Sequence, residues 1–115
     1  MKIGTDIVEI NRIEKSLTQF GEKFKQRFLH PEEIRLAQKT TSLAGFWAAK
    51  EAISKALGCG IGKELSFHDI IQDKDYRGAP TFSLSHEAQK IHRIEACSLS
   101  ISHDGGFAIA VAVIS

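Results

Sequence analysis

The chain has 115 residues, of which 43% are hydrophobic and 25% charged, with a formal net charge of +1. That length predicts a single domain over residues 1–115, able to bury roughly 60–70% of its unfolded surface. The near-neutral charge excludes a nucleic-acid binder that works by bulk electrostatics, and no signal peptide, long apolar span or repeat is visible, so no membrane partner is expected.

Residues 2–9 read as a strand, because Ile3, Thr5 and Ile7 alternate with Gly4, Asp6 and Val8. Asp6 is in phase with Gly4 and Val8. Aspartate is depleted in strands and seldom buried without a partner, so Asp6 faces either a cation or, from an edge strand, water. A helix follows from Asn11, a good N-cap residue, to Gln19, with Gly21 just past its end. Arg12, Lys15, Lys23, Lys25 and Arg27 crowd this stretch, and by charge alone they read as a solvated helix face. Phe24, Phe28 and Leu29 form an apolar segment, and Pro31 opens a helix through Glu32, Ile34, Leu36 and Ala37.

The segment from Phe46 to Gly58 predicts a long helix, capped by Thr41 or Ser42. At about 100° per residue, Glu51 and Lys55 fall on one stripe flanked by Ala44 and Ala48, where a ligand can approach closely. Ala49, Ala52, Ile53, Ala56 and Leu57 fall on the other side, which suits a core. A solvated i, i+4 ion pair explains Glu51 and Lys55 equally well. Gly58 suits a helix stop and opens a glycine-rich stretch through Gly60 and Gly62.

Ile70-Ile71-Gln72 and Pro80 to Leu84 read as strands joined by an Asp75-Tyr76-Arg77-Gly78 turn, and Ser85 caps a helix through Ala88 and Ile91. The C-terminus reads as a hairpin around His103-Asp104-Gly105-Gly106. His103 ends the inward face of its strand and reads either as a turn residue or as a ligand contact. The last strand puts Phe107, Ile109, Val111 and Val113 on one face and Ala108, Ala110 and Ala112 on the other, so it is expected to be covered on both sides. The order of elements is α+β, an antiparallel sheet packed with a long helix. Cys59 and Cys97 have neither metal-type spacing nor a disulfide framework, which favours a reducing, cytoplasmic setting. The histidines His30, His68, His86 and His92 read as structural or surface groups.

Three stretches in register, Gly4-Thr5-Asp6-Ile7-Val8, Ala48-Ala49-Lys50-Glu51-Ala52 with Lys55 to Gly62, and Ser100-Ile101-Ser102-His103, closely resemble the bacterial holo-acyl-carrier-protein synthases. These are short-form 4′-phosphopantetheinyl transferases, and the likeness runs from end to end. It implies that fold, a homotrimer with sites between subunits, and Mg²⁺-dependent transfer of the phosphopantetheine arm of coenzyme A to a serine of apo acyl carrier protein. Adenosine 3′,5′-bisphosphate is released. By the same resemblance Asp6 and Glu51 match the Mg²⁺ acids, and Lys55 and His103 match phosphate contacts. Gly58, Gly60 and Gly62 match the loop beside the pantetheine, and Arg12 and Lys23 match carrier-docking cations. The base for the attacking serine is either Glu51 or a metal-bound water.

The chemistry suits these residue types. Phosphoryl transfer is mainly a matter of positioning and charge, and Mg²⁺ takes one or two carboxylates together with phosphate and water. Three departures stand out. Phe46 replaces an Arg that in many relatives helps hold the 3′-phosphate, Cys59 replaces a Thr, and Gly78-Ala79-Pro80 replaces Gly-Lys-Pro. A non-catalytic coenzyme A or carrier-binding module is the alternative, and it has no need of both Asp6 and Glu51. A P-loop enzyme is disfavoured because Glu64 follows Lys63 where Ser or Thr belongs.

Overall fold

The computed structural model describes residues 1–115. In chain order it contains β1 (Lys2–Glu9), α1 (Ile10–Phe20), α2 (Glu22–Phe28), α3 (Pro31–Leu36), α4 (Thr40–Ala56), a 3-10 turn (Phe67–Asp69), β2 (Ile70–Lys74), β3 (Pro80–Leu84), α5 (His86–His92), β4 (Cys97–Asp104) and β5 (Phe107–Ile114). A three-stranded antiparallel sheet has the order β1-β5-β4, and β2 and β3 form a separate hairpin. The α+β reading is thus realised. Gly105 and Gly106, at φ +58° and +86°, form the two-residue turn between β4 and β5.

Helix α4 lies across one face of the sheet. Its alanines Ala44, Ala48, Ala49, Ala52 and Ala56 meet Ala108, Ala110 and Ala112 of β5, and all are buried. Small residues on both surfaces let the layers approach closely, most of all at Gly4. A Cβ there would stand 2.0 Å from the Ala52 carbonyl oxygen and 2.5 Å from the Ala56 nitrogen. At the other edge of the sheet, a Cβ on Gly45 would meet Ile101 at 3.0 Å. The helix therefore runs diagonally, its N-terminal half over β4 and its C-terminal half over β1.

Several expectations need correction. Asn11 lies inside α1, whose N-cap is Glu9; the Ile10 amide instead donates to the Gly106 carbonyl at 2.9 Å, so tertiary contact replaces a side-chain cap. Helix α4 begins at Thr40 with Lys39 as N-cap, so neither Thr41 nor Ser42 caps it. Ala44 and Ala48 are fully buried rather than lining an open stripe, because the sheet covers that side of the helix. Strand β5 is covered on one face only: its alanine face meets α4, while Phe107 and Ile109 are exposed. Ser85 does cap α5, accepting from the Ala88 amide at 3.2 Å.

A second cluster holds the first half of the chain against α4. Phe24, Phe28, Trp47 and Phe67 stack with ring centroids 4.9–6.1 Å apart. Beneath them lies a fully buried ion pair. Lys50 Nζ donates to Glu33 Oε1 at 3.0 Å, to the Phe28 carbonyl at 2.7 Å and to the Phe67 carbonyl at 2.9 Å. Glu33 also accepts from the amides of His30 at 2.8 Å and Gln72 at 3.0 Å. Burial pulls the Lys50 ammonium below its ordinary pKa, and the Glu33 carboxylate opposes that pull.

Candidate active site

The crossing of β1 and α4 gathers the first group of predicted residues. Asp6 points to the helix side of its strand, between the buried Gly4 and Val8. Its Oδ1 accepts from Lys55 Nζ at 2.9 Å, and Lys55 also reaches the Thr5 carbonyl at 3.2 Å. The Asp6 side chain retains 15% exposure and that of Lys55 53%. Glu51, one turn earlier, is half-buried; burial and then the nearby Asp6 carboxylate raise its pKa, while Lys55 and Arg12 pull it down.

The Asp6 and Glu51 carboxylates, at the rim of a packed core, form a hard-oxygen set, and a divalent cation would relieve the disfavoured ionisation of Glu51. That donor set fits Mg²⁺, which needs few protein ligands and keeps waters and phosphate in the rest of its shell. The Lys55 ammonium already satisfies part of the negative charge.

Arg12 is exposed on α1, near enough to act on Glu51, and Lys23 is exposed on α2. Neither makes an ion pair. Their neighbours differ: Lys25 pairs with Glu22 at 3.2 Å, and the Arg27 guanidinium lies 5.6 Å from the centre of the Phe20 ring.

Helix α4 ends at Ala56, and Gly58 and Gly60 follow with φ +83° and +68°. Their amides fold back to the Lys55 carbonyl at 3.0 Å and the Ser54 carbonyl at 3.2 Å, while Gly62 donates to Leu65 at 2.8 Å. The loop wraps around the helix end that carries Lys55, and its backbone needs glycine at the positive-φ positions.

His103 lies elsewhere. It sits within β4, paired with Ala108, at the opposite edge of the sheet from β1. There it lines a cavity of about 170 Å³ with Thr41, Ser42, Phe46, Gln72 and Lys74 among others. Phe46 and Lys55 are roughly 14 Å apart along α4 at about 1.5 Å rise per residue. One chain therefore holds two half-sites rather than one constellation, and it does not bring His103 to Asp6, Glu51 and Lys55.

Two of the positions singled out in sequence, Phe46 and the Gly78–Pro80 turn, border the same space. Lys74, at the end of β2, supplies a cation there, and sequence reading overlooked it because no helical or strand period marks it. Gln72 is buried with its Oε1 unpartnered while its Nε2 donates to the Phe46 carbonyl at 3.0 Å. An orphaned buried acceptor on a cavity wall calls for a donor on the molecule that fills it.

A model of the 4′-phosphopantetheinyl transferase superfamily matches residues 2–112. A holo-[acyl-carrier-protein] synthase from Sulfurovum sp. is 63% identical over 114 residues, 99% of this chain and 96% of that protein. The crystal structure of Helicobacter pylori holo-[acyl-carrier-protein] synthase in complex with coenzyme A superposes with a TM-score of 0.95 at 56% identity, covering 98% of this chain and 99% of that one. The Neisseria meningitidis enzyme superposes with a TM-score of 0.89 at 36% identity, covering 99% and 97%. The carboxylate pair on β1 and α4 therefore stands in a shared fold, and the chain belongs to the 4′-phosphopantetheinyl transferase superfamily.

Proposed function

We propose that residues 1–115 act as one holo-[acyl-carrier-protein] synthase domain. It transfers the 4′-phosphopantetheine group of coenzyme A to a serine of apo acyl carrier protein and releases adenosine 3′,5′-bisphosphate. The observation that carries this reading is the Asp6–Glu51 carboxylate pair beside Lys55, on a chain whose relatives bear that name.

Asp6 and Glu51 would hold Mg²⁺, which when bound neutralises and polarises the phosphoryl oxygens. The serine hydroxyl attacks the phosphorus that carries the pantetheine. A new P–O bond forms as the bond to the adenosine bisphosphate phosphate breaks. Lys55, half-exposed, stabilises the charge that builds on the leaving side. Glu51, or a water that the metal would hold, accepts the serine proton. His103 and Lys74 contact the phosphates in the β4-edge cavity and take over from the Arg and Lys that this chain lacks. The Gln72 acceptor receives a donor from coenzyme A in the same cavity.

Two half-sites on opposite edges of one sheet support assembly as a homotrimer, in which one subunit's carboxylates face its neighbour's cavity. The surface for it is the uncovered sheet face, where Ile3 is 70%, Ile7 61%, Phe107 45% and Ile109 41% exposed. A monomer at micromolar concentration in light scattering contradicts this part. Arg12, close enough to act on Glu51, and Lys23, exposed on α2, dock the acidic carrier, so association weakens with salt and Arg12→Glu lowers carrier affinity. Two free cysteines, and no helix long and apolar enough to cross a membrane, accord with a cytoplasmic setting.

The test is an intact-mass assay with apo carrier protein, coenzyme A and Mg²⁺. A Mg²⁺-dependent gain of one phosphopantetheine group, lost in Asp6→Ala and Glu51→Ala, is expected. No gain with several carriers, from folded protein, overturns the reading in favour of a binding module.

A further inference from the structure

Away from the carboxylate pair, the fold brings together three metal-ligating side chains, two from the segment after α4 and one from α5. Cys59 lies in the glycine-rich loop after α4, Glu64 just beyond it, and His92 at the end of α5. One ligand atom from each falls within 4.8 Å of the others. Spacing along the chain gave no hint of this, since Cys59 and Cys97 lack a metal-type pattern and His92 reads there as a structural or surface group.

A second observation is independent of that proximity. The His92 side chain is only 7% exposed, and its Nε2 is buried without a hydrogen-bond partner. The nearest carboxylate oxygen, Glu64 Oε2, is 4.0 Å away, beyond hydrogen-bond range. Cys59 Sγ makes a 3.9 Å contact to the Ser54 carbonyl, and its thiol also faces the Glu64 carboxylate. The nitrogen is thus unsatisfied, with the sulfur and the carboxylate within 4.8 Å of it. A buried polar atom of this kind costs roughly 1–3 kcal/mol unless something meets it.

We propose that Cys59, Glu64 and His92 form a binding site for a borderline-soft divalent cation of the Zn²⁺ or Co²⁺ type. Metal–ligand bonds of about 2.0–2.3 Å in a tetrahedron hold donor atoms about 3.3–3.8 Å apart. The three atoms, within 4.8 Å of one another, would draw together on binding. Thiolate, imidazole and carboxylate in one set select such an ion over Mg²⁺, which takes oxygen ligands. Three protein ligands leave the fourth position for water. The site is chemically distinct from the Asp6–Glu51 carboxylates. It ties the loop of residues 58–64 to α5, and that loop folds back on the Ser54 and Lys55 carbonyls, so occupancy stiffens the end of α4 that carries Lys55.

The experiment is a Co²⁺ titration of the whole chain, read by the thiolate-to-cobalt charge-transfer band in the near ultraviolet. One equivalent per chain is expected. The band should survive excess Mg²⁺, Cys97→Ser and Asp6→Ala. It should vanish in Cys59→Ser and Cys59→Thr, and His92→Gln should weaken binding by more than the roughly 10–100-fold that loss of an outer-shell partner costs. Circular dichroism on each variant confirms that it is folded. The absence of a charge-transfer band in the unaltered chain overturns the proposal. So does a band that persists without Cys59, follows Cys97, or leaves His92→Gln unaffected.

Discussion

Neighbouring residues of α4 serve two acid–lysine pairs with opposite character. Lys50 and Glu33 are both at 0% exposure, and every donor and acceptor that they present is met by backbone or by each other. Lys55 and Asp6 form a bond of similar length, yet Lys55 is 53% exposed, and Glu51 next to them is held at a raised pKa. The first pair has no capacity left for anything else. The second has a half-exposed cation and carboxylate oxygens open to solvent, so a metal ion or a phosphate can enter it. A buried salt bridge fixes geometry at a desolvation cost, whereas an open one contributes little to stability and is available for chemistry. The same helix thus carries a structural lysine and a working lysine five positions apart.

The largest expected effect is on the buried pair. Glu33→Gln leaves the Lys50 ammonium without its carboxylate and should cost about 3–5 kcal/mol in urea unfolding. A loss below about 1 kcal/mol would erase the contrast. Next comes the packing that holds the open pair in place. Gly4→Ala forces a methyl group against the Ala52 carbonyl and should cost about 1–3 kcal/mol or more, with transfer activity falling as β1 moves off α4. A Gly4→Ala protein of unchanged stability and activity would show that the close approach is not required.

The third prediction separates function from stability. Glu51→Gln should abolish Mg²⁺-dependent transfer while leaving Tm unchanged or higher. Folding raises the Glu51 pKa above its ordinary 4.5. Its contribution to stability is therefore fully present below that value and is lost as pH rises through the folded pKa, so the ionised group opposes folding at neutral pH. Protons and Mg²⁺ then compete for Glu51, so the Mg²⁺ concentration needed for half-maximal transfer should rise as pH falls. A Mg²⁺ requirement independent of pH would contradict that assignment. The smallest effect belongs to the other half-site. Lys74→Ala should raise KM for coenzyme A roughly tenfold, the loss of one charge-assisted hydrogen bond, with kcat little changed; an unaltered KM would remove Lys74 from the phosphate site.

How much of this was legible in the sequence depends on what kind of interaction fixed each residue. Period and turn chemistry are local, so strand β1, the β4–β5 hairpin, the glycine stop at Gly58 and the Ser85 cap were readable. Asp6 stood out because a mid-strand aspartate in phase with Gly4 conflicts with local propensity. What lay beyond reach was set by tertiary contact. Ala44 and Ala48 gave no sign of whether sheet or solvent would cover them. Lys50 sits in the motif beside Glu51, but its partner Glu33 is on another helix, with no spacing rule to connect the two. Strand β5 has two apolar faces, and the sequence alone could not say that α4 takes the alanine side and leaves Phe107 and Ile109 uncovered. Lys74 and the Cys59–Glu64–His92 group were likewise invisible until the chain folded them together.

The most direct test of the contrast is to replace each lysine of α4 by methionine and measure two quantities on both proteins: the urea midpoint, and the mass gain of apo acyl carrier protein with coenzyme A and Mg²⁺. Lys50→Met should lower the midpoint strongly, and whatever fraction remains folded should still transfer. Lys55→Met should keep its unfolding free energy, read from the urea curve, within about 1 kcal/mol of the unaltered chain and lose most of its transfer rate. If instead Lys55→Met unfolds the protein, or transfers at the full rate, the division between a structural and a working pair is wrong.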